Sequence, residues 1–176
     1  MSVSLRTKFL TTAILASLVS ATLASPGGTV LTGTVVKVVD GDTVTLSDAN
    51  KNQHRIRIEA IDAPEKAQAF GQHSKRALIE LAAQKPVVAT CPTIDRYRRY
   101  VCTVRVNGTD VGLEQVRQGL AWHYKRYSKT QAPDARQSYA NAEKEAQNSR
   151  VGLWSDVHAM PPWEWRKQKI TATSSQ

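Results

Sequence analysis

Short runs of β-branched residues separated by polar turns dominate the first third of the chain. Gly33 to Val39 and Val44 to Leu46 are such runs, and Asp40-Gly41-Asp42 between them is turn chemistry. Ser47 to Gln53 is a second polar turn. His54-Arg55-Ile56-Arg57-Ile58-Glu59-Ala60-Ile61 alternates polar and apolar, which predicts a third strand with one buried face, stopping at Asp62-Ala63-Pro64. The period then changes. Phe70, Ala77, Leu78, Leu81 and Ala82 fall on one helical stripe that ends before Pro86. Val87 to Cys91 and Tyr100 to Val106 read as a fourth and fifth strand. A short helix around Val111, Leu113 and Val116 follows, with Gly119 suited to its C-terminal end. A last helix runs from about Pro133 to Ser149 on a stripe of Ala135, Tyr139, Ala142 and Ala146.

Three strands, a helix, two strands and further helices suit an α+β domain with a curled five-stranded sheet. The order is compatible with a five-stranded OB-fold β-barrel carrying about three helices, and by itself leaves other small α+β folds open. The domain is expected over residues 33–154, after a leader at 25–32. Residues 155–176 read as an irregular, basic, Trp-containing tail, in which Pro161-Pro162-Trp163-Glu164-Trp165-Arg166 is expected to dock its rings on the domain, with binding of a base as the alternative.

At the amino end, Arg6 and Lys8 precede an uncharged, mostly apolar run from Phe9 to Ala24. This predicts a secretory signal peptide over residues 1–24; the run is too short and too rich in Thr and Ser for a membrane anchor. The expected location is therefore the periplasm or outside the cell. With 176 residues a multidomain enzyme is excluded, and a formal charge of +9 points to polyanionic partners.

Cys91 and Cys102 are the only cysteines, and an exported chain meets an oxidising compartment. With Arg96 and Tyr97 at the tip of a hairpin, the two fall opposite each other and can form a disulfide; two separately buried thiols are the alternative. The four histidines are scattered without zinc-ligand spacing.

Two acidic clusters, Asp40-Gly41-Asp42-Thr43 and Asp62-Ala63-Pro64-Glu65, sit at strand ends. Their oxygens suit a hard cation, Ca²⁺ or Mg²⁺. Basic groups accompany them: Arg57 lies five residues before Asp62, and Asp95-Arg96-Tyr97-Arg98-Arg99 crowds three guanidinium groups at a hairpin tip. Guanidinium forks match phosphate oxygens.

Val39-Asp40-Gly41-Asp42-Thr43-Val44, Arg57-Ile58-Glu59-Ala60-Ile61-Asp62-Ala63-Pro64-Glu65, Asp95-Arg96-Tyr97-Arg98-Arg99 and Glu114-Gln115-Val116-Arg117-Gln118-Gly119-Leu120-Ala121 together resemble the staphylococcal nuclease (thermonuclease) family. The resemblance runs from about Gly33 to Trp154. It implies an OB barrel with three helices and Ca²⁺-dependent cleavage of DNA and RNA phosphodiesters, leaving 3′-phosphorylated products. By resemblance, Asp42, Asp62 and the Ala63 carbonyl hold the metal, and Asp40 is an acid beside it. Glu65 orients or deprotonates the attacking water, and Arg57 and Arg99 hold the scissile phosphate. Tyr97 matches a position that packs near a bound nucleotide. Three positions depart from the family's founding type: Ala63 replaces Thr, Arg98 replaces a hairpin Gly, and the loop between Glu65 and Phe70 is short.

Arg96, Tyr97, Tyr124 and Tyr127 are the candidate nucleic-acid contacts. A monomer acting on single-stranded or locally unpaired DNA and RNA, with little sequence preference, is expected. The rival readings are a non-catalytic OB-type binder of single strands and a cationic envelope protein. The first would place Asp42, Asp62 and Glu65 where they repel phosphate, and the second explains none of the four blocks.

Overall fold

The computed structural model describes residues 28–174, so the expected signal segment and the start of the leader lie outside the described residues. Strand β1 (Thr29–Val38) is longer than its β-branched pattern suggested, and takes in part of the expected leader. Thr29 to Thr34 pair antiparallel with Pro86 to Cys91, which explains why this stretch is ordered as strand. The Asp40-Gly41-Asp42 turn leads into β2 (Thr43–Ser47) and a second turn into β3 (Gln53–Ile58), each antiparallel to the strand before.

The third strand breaks earlier than its alternation predicts. It ends at Ile58, Ala60 takes a left-handed φ of 68°, and Ile61–Asp62 becomes a separate strand, β4. After α1 (Gly71–Ala82) come β5 (Pro86–Ile94), β6 (Tyr100–Val106) and the two-residue β7 (Thr109–Asp110). Then follow α2 (Val111–Arg117), β8 (Trp122–His123), α3 (Pro133–Asn148) and α4 (Pro162–Ser174), with 3₁₀ turns at Lys125–Thr130 and Gly152–Ser155. The parallel pairing of β3 with β6 closes β1, β2, β3, β5 and β6 into the five-stranded barrel of an OB-fold.

Alternation places one face of each strand inside: Ile56 and Ile58, Val87, Ala89 and Cys91, and Cys102, Val104 and Val106 are buried. Leu78, Val111 and Val116 from α1 and α2 join this core. Asp110 caps α2 by accepting from the N–H groups of Gly112 and Leu113 at 3.0 and 3.2 Å, and from the Tyr139 hydroxyl at 2.9 Å. Gly119, with φ +65°, turns the chain after α2.

Four expectations need correction. Phe70 stands just before α1 in a left-handed conformation, and the buried stripe of α1 is Gly71, Ser74, Ala77, Leu78 and Ala82. On α3, Ala135 is exposed, and Glu143 is buried because its carboxylate accepts from the His123 N–H at 3.0 Å and pairs with Lys125. The hairpin register shifts by one residue between Thr90 and Thr93, so Ile94 faces Tyr100 and the tip centres on Tyr97. Pro92, which has no N–H for the ladder, lies in that bulge. Nearer the core, Cys91 and Cys102 are bonded, with Cα atoms 4.0 Å apart. Lastly, the tail is not irregular. Beyond the Gly152–Ser155 turn it forms α4, with Pro162 at its first position, where the missing N–H costs no helical hydrogen bond.

Candidate active site

The left-handed turn at Ala60 swings Ile61–Asp62 away from the barrel wall to pair with Trp122–His123, with Asp62 opposite Trp122. That pairing aims Asp62 at the turn between β1 and β2. Gly41 in that turn is packed so closely that a Cβ would fall 1.9 Å from the Ser74 hydroxyl. Gln115, fully buried on α2, fixes the same turn by donating from Nε2 to the Gly41 and Ser74 carbonyls, at 2.8 and 3.0 Å. Asp42 is thereby brought to Asp62.

Arg57, from β3, joins the two acids. Its Nη2 lies 2.9 Å from Asp62 Oδ1 and 3.1 Å from Asp42 Oδ2, while Nη1 donates to the Ile58 carbonyl at 2.9 Å. Asp42 also accepts from the Ala63 N–H at 2.8 Å and the Thr43 hydroxyl at 3.0 Å. Asp40 accepts from the Asp42 N–H at 3.1 Å. Burial, with the charge of Asp42 beside it, pushes the Asp40 carboxyl up to about 6. Burial also raises Asp62, against the pull of Arg166 and Arg57. Glu65 stands half-exposed at the rim on the short loop, where its N–H donates to Gln68 Oε1 at 3.1 Å.

Arg166 on α4 is a site residue that the sequence pattern did not disclose. Its Nη2 lies 2.6 Å from Asp62 Oδ2 and its Nη1 2.7 Å from Glu65 Oε1. These carboxylates hold the guanidinium protonated even more firmly than usual, despite its partial burial. The Trp-rich tail was expected to dock through its rings, and Trp163 does so against Trp122 and Tyr124, at 6.4 and 5.6 Å between centroids. Arg166, three residues further on, shares that helix face.

The remaining candidates divide. Tyr124 is half-buried in this aromatic run, and Tyr127 is exposed beside it at 5.7 Å. Arg96 and Tyr97 are exposed at the hairpin tip, the guanidinium over the ring at 4.8 Å. Arg99 is bound to Asp95 rather than to Asp42, Asp62 or Glu65. Parallel pairing of β3 and β6 nevertheless sets Arg57 opposite Val101, only two residues beyond Arg99. The geometry thus gathers Asp40, Asp42, Arg57, Asp62, Ala63 and Glu65, and leaves Arg99 on the adjoining strand end.

Among the described residues no three His, Cys, Asp or Glu side chains form a ready-made metal cage. The donors are all hard oxygens, two of them carboxylates that share one guanidinium nitrogen, and this set fits a divalent ion that completes its shell with water and substrate. The four acids Asp40, Asp42, Asp62 and Glu65 also outnumber Arg57 and Arg166, so a phosphate would be repelled without an added cation.

A family model described as staphylococcal nuclease homologue matches residues 55–156. The chain belongs to this family. It is 38% identical over 162 residues to Protein ParB of Escherichia coli, covering 87% of this chain and 89% of that protein. It is 37% identical over 151 residues to a micrococcal nuclease of Shigella flexneri, covering 81% and 84%. An uncharacterized endonuclease of Haemophilus influenzae is 41% identical over 135 residues, covering 77% and 72%. The chain is accordingly a nuclease, a hydrolase whose substrates are nucleic acids, from a metal-dependent family. The non-catalytic binder is set aside. Among the described residues of this nuclease, no helix is long and apolar enough to cross a membrane.

Proposed function

We propose that the chain is an exported, monomeric, Ca²⁺-dependent nuclease that cleaves DNA and RNA with little sequence preference and leaves 3′-phosphorylated ends. The observation that carries this reading is the Arg57 fork held between Asp42 and Asp62, with Glu65 at the same rim. Asp42, Asp62 and the Ala63 carbonyl would hold the ion, which supplies Lewis acidity toward a phosphate oxygen. Arg57 is already oriented by Asp42, Asp62 and the Ile58 carbonyl, so little ordering is left for the moment when it meets a phosphate oxygen. Arg99 meets the same phosphate from the adjoining strand once its fork leaves Asp95. Glu65, on the solvent side, takes a proton from a water whose oxygen bonds to phosphorus. The bond to the 5′ oxygen breaks, and that oxygen takes a proton from solvent.

Little sequence preference follows because these groups address the phosphate and not base edges. Tyr97, Tyr124 and Tyr127 offer rings to unpaired bases, which favours single-stranded or locally opened substrates. Export is supported by the signal-like first 24 residues and by the Cys91–Cys102 bond.

Single-turnover cleavage of denatured DNA by the wild type and Glu65→Gln, with Ca²⁺ or with chelator, tests the assignment. Gln keeps the shape but cannot take the proton, so the chemical step should slow by about 10² to 10⁴ while substrate binding is retained. End-group analysis should show 3′-phosphates. Undiminished cleavage by Glu65→Gln would remove Glu65 as the base, and full activity in chelator would remove the metal.

A further inference from the structure

Asp62 is 2% exposed, and its two oxygens are taken by two guanidinium groups, one five residues before it and one from the helix near the end of the described residues. Arg57 lies 2.9 Å from Oδ1 and Arg166 2.6 Å from Oδ2. The two arginines differ in kind. Arg57 is 16% exposed, projects from a barrel strand, and is tied also to Asp42 and the Ile58 carbonyl. Arg166 is 43% exposed and reaches the site from a helix on the surface. Its guanidinium bridges Asp62 and Glu65, one member of the donor set and the residue assigned to the water.

A hard cation on this donor set needs the lone pairs of Asp62 and brings two positive charges. The Arg166 guanidinium lies on Asp62 Oδ2, and a divalent ion on the same carboxylate repels it and competes for the same lone pairs, so its hold weakens as the ion enters. Arg57 is locked into the barrel wall, so Arg166 is the one that yields. Its approach is set from elsewhere on α4. Trp163, one turn earlier, packs on Trp122, the backbone partner of Asp62, and on Tyr124. Just before the helix, the Met160 carbonyl accepts from Gln68 Nε2 at 2.6 Å, on the loop that carries Glu65.

We propose that α4 is an autoinhibitory strap whose Arg166 competes with the divalent cation for Asp62 and Glu65, so that cation entry and Arg166 withdrawal are one event. This rests on the cation assigned above. The strap raises the cation concentration at which the nuclease switches on, and until then it offsets part of the negative charge of Asp62 and Glu65. By linkage, whatever lifts α4 tightens cation binding by the same factor that cation binding loosens α4.

Calorimetric titration of Ca²⁺ into the purified wild type, Arg166→Ala, Arg166→Lys and Trp163→Ala provides the test, with circular dichroism to confirm that each variant is folded. Arg166→Ala should bind Ca²⁺ about tenfold more tightly, as expected for losing the partly exposed charge-assisted hydrogen bonds from Arg166 to Asp62 and Glu65. Arg166→Lys should fall between, because one ammonium cannot bridge two carboxylates as the fork does. Trp163→Ala, which leaves every charge in place and removes the anchor, should shift affinity in the same direction. Equal affinity in the wild type and Arg166→Ala, or weaker binding in Arg166→Ala, overturns the strap while leaving the cation site standing. No Ca²⁺ bound by any of the four proteins overturns both readings.

Discussion

Arg99 donates to Asp95 Oδ2 from Nε at 2.8 Å, with Nη2 2.7 Å from the same oxygen, across the tip of the β5–β6 hairpin. Asp95 also accepts from the N–H groups of Tyr97 and Arg99, at 2.9 and 3.0 Å, so one carboxylate organises the whole tip. Slight burial pushes this carboxyl up, but the hydrogen bonds from Arg99 and Tyr97 together hold it below the usual range. The guanidinium assigned to the phosphate is thus parked within its own turn. Arg99→Ala should slow single-turnover cleavage by about 10³, the scale of an arginine that meets growing charge in phosphoryl transfer. Asp95→Asn keeps an acceptor for the two N–H groups and releases the fork, so it should stay within about tenfold of the wild type. A larger loss in Asp95→Asn than in Arg99→Ala would show that the turn matters and the fork does not.

Arg98 occupies a left-handed conformation, φ 62°, at the position where the founding type of the family has Gly. A side chain there carries a cost of about 1 to 2 kcal/mol, partly offset in a Gly variant by the greater freedom of its unfolded chain. Arg98→Gly should therefore stabilise the protein by about 0.5 to 1 kcal/mol in urea unfolding, and Arg98→Ala should not. Since its neighbours Asp95 and Arg99 fix the tip, cleavage at constant salt should change little in either variant. A rate loss in Arg98→Ala comparable to that of Arg99→Ala would shift the phosphate contact by one residue.

The barrel was legible because β3, β5 and β6 alternate with period two, and the two acid clusters were legible because each ends a strand. Ala60 was not. An alanine at φ 68° carries no compositional mark, yet its turn breaks the third strand and aims Asp62. The bulge at Pro92 was hidden for a related reason: beyond Cys91 the strand is exposed on both faces, so no alternation remains to reveal the added residue. Arg166 was out of reach altogether. Trp163 and Arg166 fix the docked face of α4 by two specific contacts, and such a pair produces no periodic apolar stripe. Only the placement of the Trp residues hinted that the tail docks.

Replacing Cys91 and Cys102 together by Ser removes the bond that joins β5 to β6 across 11 residues. Cross-link entropy for so short a loop sets a loss of about 3 kcal/mol as the upper range. Two buried hydroxyls add a cost, since both positions are at most 2% exposed. Denaturant melts of the double variant, compared with the wild type with and without reductant, measure this. A double Ser variant as stable as the oxidised wild type would make the bond irrelevant to the fold.

Asp48 organises the β2–β3 turn by accepting from His54 Nε2 at 2.8 Å, from the Asn50 and Asn52 N–H groups at 2.9 Å each, and from the Asn52 side chain. The His54 hydrogen bond is the chief reason its carboxyl is lowered from 3.8 to about 2. A depressed carboxyl stabilises the fold above its ordinary value, and the contribution fades as pH falls through about 2. Asp48→Asn should lower the melting temperature at pH 5, and the gap to the wild type should shrink steadily toward pH 2. A gap that is constant with pH would assign the loss to turn geometry alone.

Gln115 ties the aim of Asp42 to the core, and it does so with one nitrogen. Nε2 serves the Gly41 and Ser74 carbonyls together in a place with no solvent, so neither can turn to water when the amide is removed. Gln115→Met keeps the length and apolar bulk but leaves the buried Gly41 carbonyl without its donor, at about 1 to 3 kcal/mol for a buried group left unsatisfied, and takes from the Ser74 carbonyl the bond it accepts beyond its helical one in α1. Urea unfolding should register a loss of about 2 kcal/mol or more. The turn should also relax, since the close approach of Gly41 to Ser74 leaves it no second way to pack. Calcium affinity and cleavage should then fall further than the folded fraction explains. If the folded part of Gln115→Met instead binds Ca²⁺ and cleaves like the wild type, Gln115 supports the fold without aiming Asp42, and rigidity of the β1–β2 turn must come from the Asp42 hydrogen bonds to Ala63 and Thr43.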